Sequence, residues 1–178
     1  LGGVVETYPL QMAQAYASLA NGGLMPEAHF ITRIENASGQ IIKSHKNSQK
    51  RVIDKSVADK MTSMMLGTFT NGTGISSSPA DYVMAGKTGT TEAVFNPEYT
   101  SAQWVIGYSP DVAISHWLGF PTTEANHYLS GTTSNGAAHV FSSMANTLLP
   151  YITGSTFPVE TAYNKIGLEP ENTQYQAV

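Results

Sequence analysis

The sequence predicts an α+β fold, with helices packed on an antiparallel sheet of three consecutive strands. Helical apolar spacing recurs in three separated segments. Three runs rich in β-branched and aromatic residues stand together between the second and third of these segments. The last two runs are separated only by Ser109-Pro110-Asp111, which suggests an antiparallel hairpin.

Taken in order, Pro9 to Ala20 reads as a helix. Leu10, Ala13, Ala17 and Ala20 make one stripe, with Met12, Tyr16 and Leu19 beside it. Pro9 suits the first turn and Asn21-Gly22-Gly23 is a stop signal; Gly2-Gly3 upstream marks a tight turn or a close backbone approach. Phe30 to Glu35 and Gln40 to Lys43 predict two short strands around an Asn36-Ala37-Ser38-Gly39 turn. The polar stretch from Ser44 to Arg51 reads as a surface loop. Asp54 can cap a helix from Lys55 to about Phe69, with Val57, Met61, Met64 and Met65 on its buried side as core filling. A loop through Asn71-Gly72-Thr73-Gly74 follows. The three strands are then Tyr82 to Thr91, Gln103 to Ser109 and Val112 to Phe120. A helix from about Ser134 to Leu149 carries Ala137, Phe141, Met144 and Leu148 as its stripe, and Pro150 ends it. Residues 1–150 read as one domain part and residues 151–178 as a polar, weakly patterned tail.

Composition narrows the function classes. Of the 178 residues, 41% are hydrophobic and 12% charged, too apolar for a disordered tail and low in charge for a cytosolic surface. The net charge is −4 and the nine basic residues are scattered, so the electrostatic footprint of a nucleic-acid binder is missing. Cysteine is absent, which excludes disulfides, thiol catalysis and thiolate metal sites and fits an exported protein. The five histidines, at positions 29, 45, 116, 127 and 139, show no ligand spacing. No apolar stretch approaches the ~20 residues that span a bilayer. The chain starts at Leu1 rather than Met, and any anchor or export signal is expected upstream.

The strongest local signal is Ala85-Gly86-Lys87-Thr88-Gly89-Thr90-Thr91. Gly86 and Gly89 let a ligand approach the backbone; Lys87 supplies a point charge, and Thr88 and Thr90 supply hydroxyl donors. On a strand edge, N–H groups would add donors for an extended peptide or a developing oxyanion. Alternation puts Lys87 and Thr88 on opposite faces, so one ligand meets both only by lying along the edge. A glycine-rich turn with a solvated lysine is the plain alternative. A phosphate loop is a second: Gly86-Lys87-Thr88 matches the end of G-x-x-x-x-G-K-[ST], but Asp81 stands where the first glycine belongs, and the residues that follow are poor helix formers. Glu92 and Glu98 read as solvated residues rather than an acid/base pair. The loop from Ala93 to Tyr99 could border a cleft, with Phe95 or Tyr99 near substrate, though buried aromatics in a surface loop fit as well.

Context shifts the balance among these readings. S-x-x-K, S-D-N and K-T-G form the motif set of β-lactamases and penicillin-binding proteins. Pro9-Leu10-Gln11-Met12-Ala13 with Tyr16-Ala17 and Asn21-Gly22-Gly23 is similar to the helix that precedes the third motif in class A penicillin-binding proteins. Thr73-Gly74 resembles the glycine-threonine-glycine loop of that family, and Gly86 to Thr91 resembles its third motif in the class A form. Trp104-Val105-Ile106-Gly107-Tyr108-Ser109-Pro110 and Trp117-Leu118-Gly119 resemble its next two strands. The likeness runs from Leu1 to about Leu149, in the family's order and spacing.

The resemblance implies part of a serine β-lactamase/transpeptidase-like fold and a D,D-transpeptidase acting on the D-Ala-D-Ala ends of peptidoglycan stem peptides. It implies that Lys87, Thr88, Gly89 and Thr90 bind substrate, with Lys87 and Thr90 also taking part in catalysis. β-Lactams would be ligands; no metal or organic cofactor is implied. The location implied is the extracytoplasmic face of the bacterial cell membrane, with an upstream glycosyltransferase domain. The sequence departs from the pattern in three places. It contains no S-x-x-K, so the nucleophile is expected upstream; the alternative reading is a non-catalytic peptidoglycan-binding or assembly module of the same fold, which the absence of S-x-x-K upstream would favour. Thr133-Ser134-Asn135 fits [ST]-x-N but follows Lys87 and reads as a helix start. Ala102 stands where the family often has an acidic residue, two before Trp104.

Overall fold

The computed structural model describes residues 7–120, 124 and 126–160. Gly2-Gly3 and residues 161–178 lie outside the described residues. Pro9–Ala20 forms helix α1, as the spacing predicts. Its apolar contacts come from Tyr16, Leu19 and Ala20 rather than from Leu10, which is exposed. The helix stops where the backbone turns left-handed at Gly22 and Gly23. A Cβ on Gly23 would overlap the Ile53 carbonyl, so both its positive φ and its surroundings require glycine.

Strand β1 (Leu24–Pro26) pairs antiparallel with β4 (Gln49–Arg51). The loop expected over 44–51 is therefore corrected at its end. Gln49, Lys50 and Arg51 are all exposed and show no alternation, so only the partner strand reveals them as β. The Arg51 guanidinium ties this pair to its surroundings by donating to the Gly22 and Ile53 carbonyls, each at 3.1 Å. Between them, β2 (Arg33–Glu35) and β3 (Ile41–Ser44) form the expected hairpin, with a shorter first strand. Its turn is organised by Asn36, whose Oδ1 accepts from the Ser38 and Gln40 N–H groups.

Helix α2 (Lys55–Thr70) begins after Asp54, whose side chain makes no capping bond. Its buried face matches the expected one only in part: Met65 packs against the core and Met61 is half-buried. Val57 and Met64 are 46% and 56% exposed, whereas Ala58, Thr62, Ser63, Leu66 and Phe69 are buried. Thr62 can lie inside because its hydroxyl meets the Tyr108 hydroxyl at 2.9 Å. A hydrophobicity stripe ranks methionine above threonine and misses such a face.

Strands β5 (Ala85–Ala93), β6 (Asn96–Tyr108) and β7 (Ala113–Gly119) form the antiparallel sheet in the order β5-β6-β7. The predicted turn at Ser109-Pro110-Asp111 is present, closed by the Ser109 N–H on the Val112 carbonyl at 2.8 Å. The expected loop from Ala93 to Tyr99 is instead a continuation of the hairpin. Ala93 pairs with Asn96, and register shifts around Glu92 absorb Pro97. Phe95, Tyr99 and Tyr128 pack together there, with Tyr99 and Tyr128 rings 4.0 Å apart.

Helix α3 (Ala137–Leu148) starts later than expected, because Thr133–Asn135 form a separate 3-10 turn before it. Pro150 lies inside a further 3-10 turn, Leu149–Tyr151. One face of the sheet, through Val105 and Ile114, packs on Ala137, Phe141 and Ala145 of α3 and on Phe69 of α2. The other face, through Ala85 and Tyr108, meets α1 and Leu66. Of the stripe expected on α3, Leu148 is exposed, while Ala138 and Leu149 are buried. The result is the predicted α+β architecture.

Candidate functional site

The third-motif residues all fall on β5, an edge strand of the sheet. On the side away from β6 no strand accompanies it among the described residues. The backbone groups of β5 that point away from β6 are left unpaired by the sheet, which is the side from which an extended ligand can approach. Gly86 is required by packing: a Cβ there would stand 2.5 Å from Phe69 Cε2 and overlap the Ile106 carbonyl. The strand can sit this low on α2 only without a side chain.

The register places Gly86, Thr88 and Thr90 opposite Gly107, Val105 and Gln103, on the α3 side, and Lys87 and Gly89 opposite Ile106 and Trp104, on the α1 side. Lys87 is exposed, and its Nζ folds back onto the Thr88 carbonyl at 2.7 Å. Lys87 and Thr88 thus stand on opposite faces yet meet at the strand edge, the geometry their alternation predicts.

Each threonine is held by a hydroxyl from another part of the chain. Thr88 Oγ1 lies 2.7 Å from Thr73 Oγ1, on the loop that follows α2. Thr90 Oγ1 lies 2.7 Å from Thr133 Oγ1, on the turn that precedes α3. The two flanking segments are joined in turn, since the Ser134 hydroxyl donates to the Thr73 carbonyl at 3.2 Å. The α3-side flank of β5 is therefore lined by hydroxyls, with Lys87 on the opposite face, and the arrangement can bind an anionic, extended ligand through one cation, several hydroxyls and backbone N–H groups of the strand edge.

Thr133 is the site residue that sequence reasoning missed. Read as a helix start, it does lead into α3, but its hydroxyl also reaches a threonine 43 positions away. No local pattern carries that information. The phosphate-loop reading fails, because Gly86-Lys87-Thr88 lies within a strand and opens no helix. Glu92 and Glu98 are exposed, as expected. Phe95 and Tyr99 lie at the far tip of the same hairpin. The Tyr128 hydroxyl bonded to Tyr99 raises the Tyr99 pKa. His116 is half-buried, and burial pushes its pKa down. Among the described residues no group of three His, Asp or Glu side chains could hold a metal ion.

The fold and this edge define a class. The family described as "Penicillin binding protein transpeptidase domain" matches residues 2–144, so the chain belongs to the penicillin-binding protein transpeptidase family. More narrowly, it is 82% identical over 176 residues to penicillin-binding protein 2a of Streptococcus pneumoniae, covering 99% of this chain and 24% of that protein. It is 35% identical over 135 residues to penicillin-binding protein 1F of Bacillus subtilis, covering 75% of this chain and 19% of that protein. Among solved structures, the penicillin-binding protein PonA1 from Mycobacterium tuberculosis superposes with a TM-score of 0.75 at 26% identity, covering 87% of this chain and 42% of that one. The chain thus spans about a quarter of the length of its pneumococcal relative. No helix among the described residues is long and apolar enough to cross a membrane.

Proposed function

We propose that this chain forms one wall of the active site of a serine D,D-transpeptidase that cross-links peptidoglycan at the extracytoplasmic face of the bacterial membrane. The reaction is acyl transfer. A serine supplied by an upstream part of the protein attacks the D-Ala-D-Ala carbonyl of a stem peptide, D-alanine leaves, and an amine of a neighbouring stem takes the acyl group. β-Lactams acylate the same serine. An upstream anchor and glycosyltransferase domain complete the protein.

The observation that carries this reading is the β5 edge bearing Lys87-Thr88-Gly89-Thr90, flanked on its α3 side by the hydroxyls of Thr73 and Thr133. Lys87 attracts the substrate's terminal carboxylate and helps organise protons around the nucleophile. The Thr88 and Thr90 hydroxyls hold that carboxylate, and Gly89 keeps the backbone approachable between them. The Thr90 N–H donates to the oxyanion together with the nucleophile's own N–H.

The test is Lys87→Ala in the complete protein, with acylation by a fluorescent penicillin followed in time. Acylation is expected to slow by about 100-fold or more, the size of a lost proton-transfer group, while the melting temperature stays within about 2 °C, since an exposed side chain contributes little to stability. An unchanged acylation rate would remove Lys87 from the mechanism.

A further inference from the structure

Thr133 lies outside the Lys-Thr-Gly motif, yet its hydroxyl is buried and engaged on two sides beside the site. It is 2% exposed. Its Oγ1 lies 2.6 Å from the Gly89 carbonyl and 2.7 Å from Thr90 Oγ1, and its N–H donates to Thr90 Oγ1 at 3.3 Å. The turn that carries it is clamped onto β6. Gln103, only 1% exposed, donates through Nε2 to the Gly131 carbonyl and accepts through Oε1 from the Ala137 N–H, thus gripping both ends of the turn. The Thr100 hydroxyl adds a second bond to the Gly131 carbonyl at 2.7 Å.

A carbonyl can only accept, so the single Thr133 hydroxyl proton goes to Gly89. Thr133 Oγ1 is then left as an acceptor, and the Thr90 hydroxyl proton points inward to it. A carboxylate lying along β5 also only accepts. To bind it, Thr90 must turn its proton outward, which opens Thr90 Oγ1 to the proton of Thr133. The chain Thr133 to Thr90 to carboxylate then runs in one direction, and each bond polarises the next. Both arrangements keep the two hydroxyls bonded, and the Gly89 carbonyl gives up one partner in the second.

We propose that Thr133 is a positioning residue for Thr90, holding its side chain in place and reversing the direction of their shared hydrogen bond when a carboxylate binds along β5. This rests on the reading that Thr90 holds the substrate carboxylate, and the experiment separates the two. In the complete protein, second-order acylation rate constants are measured for a penicillin and for its carboxylate methyl ester. The variants are Thr90→Val, Thr133→Val, Thr133→Ser and the double Thr90→Val/Thr133→Val, with Thr133→Ala as a second hydroxyl-free side chain should valine impair folding.

Thr133→Val is expected to slow the acid by about tenfold, the loss typical of weakening a hydrogen bond to a charged group, and to change the ester by less than about twofold. Thr133→Ser is expected to restore the acid to within about threefold of the parent. The double variant is expected to be no slower than Thr90→Val alone, as two members of one chain require. Equal slowing of acid and ester, or a double variant as slow as the product of the two single effects, would overturn the role of Thr133 while leaving that of Thr90 intact. A Thr90→Val variant with unchanged rates on the acid would overturn the reading of Thr90 and the inference together.

Discussion

The hydroxyl of Tyr108 shows how a single polar atom decides which face of a helix is buried. It sits under α2 against Thr62 Oγ1, with Met65 Sδ also in reach at 3.7 Å. Burial pushes the Tyr108 pKa up to about 12, the Thr62 hydrogen bond opposing the rise and the nearby Tyr16 adding slightly to it. The phenol is therefore neutral across the physiological range and serves as a buried hydrogen-bonding group. Tyr108→Phe should destabilise the protein by about 1–3 kcal/mol, because the Thr62 hydroxyl keeps its burial and loses its partner. Thr62→Val combined with Tyr108→Phe should recover much of that loss, since both polar atoms are then gone. Denaturant melts of the three variants check this, and a double variant less stable than either single one contradicts it.

Strands and helices bring the site together through small residues at close contacts. β5 approaches α2 at Gly86, and β6 approaches α3 at Gly107, where a Cβ would stand 2.6 Å from Phe141 Cζ. Phe69 and Phe141 stack between these two approaches, with ring centroids 5.9 Å apart. Gly86→Val inserts a branched side chain into the first contact. It should cost at least about 1–3 kcal/mol in stability through overpacking, and acylation of the complete protein should fall as well, because Lys87 and Thr88 move with the displaced strand. A melting curve and a penicillin-labelling time course report the two effects. Labelling at the parent rate in a destabilised variant would show that the strand edge tolerates displacement. The Lys-Thr-Gly strand and its neighbours were legible in the sequence because their β-branched and aromatic pattern is local. The short β1–β4 pairing and the buried face of α2 were not, because each depends on a partner far along the chain.

Across the chain as a body, the segment after α3 is bound into the sheet. The Ser155 N–H and hydroxyl both donate to the Asp111 carboxylate at 2.8 Å, and the Phe157 ring meets Tyr108 edge-on at 5.8 Å. The Ser63 hydroxyl reaches the Glu160 carbonyl from α2. A cavity of about 510 Å³ lies beneath this strap, lined by Leu66, Tyr82, Leu149 and Phe157, at the end of the sheet where β5 begins. The strap thus braces the sheet from the end opposite the 93–96 hairpin tip. Catalytic competence is a separate matter. The chain contains Lys87 and Thr90 but no S-x-x-K, and labelled penicillin should leave it unmodified when it is expressed alone. Stoichiometric covalent labelling, read by mass spectrometry, would show that a nucleophile within this chain had been overlooked.

What could be read from residues alone was whatever repeats over a few positions: the α1 helix, the β6–β7 hairpin and the Lys87-Thr88-Gly89-Thr90 motif with its flanking family likeness. Those features rest on backbone preferences and side-chain alternation, which neighbouring residues impose on one another. Folding in three dimensions alone decided that Thr62 is buried and Met64 exposed, that Gln49–Arg51 is a strand, and that Thr133 meets Thr90. Each of these arises from a hydrogen bond between segments distant in sequence, and such a bond leaves no periodic trace in either segment.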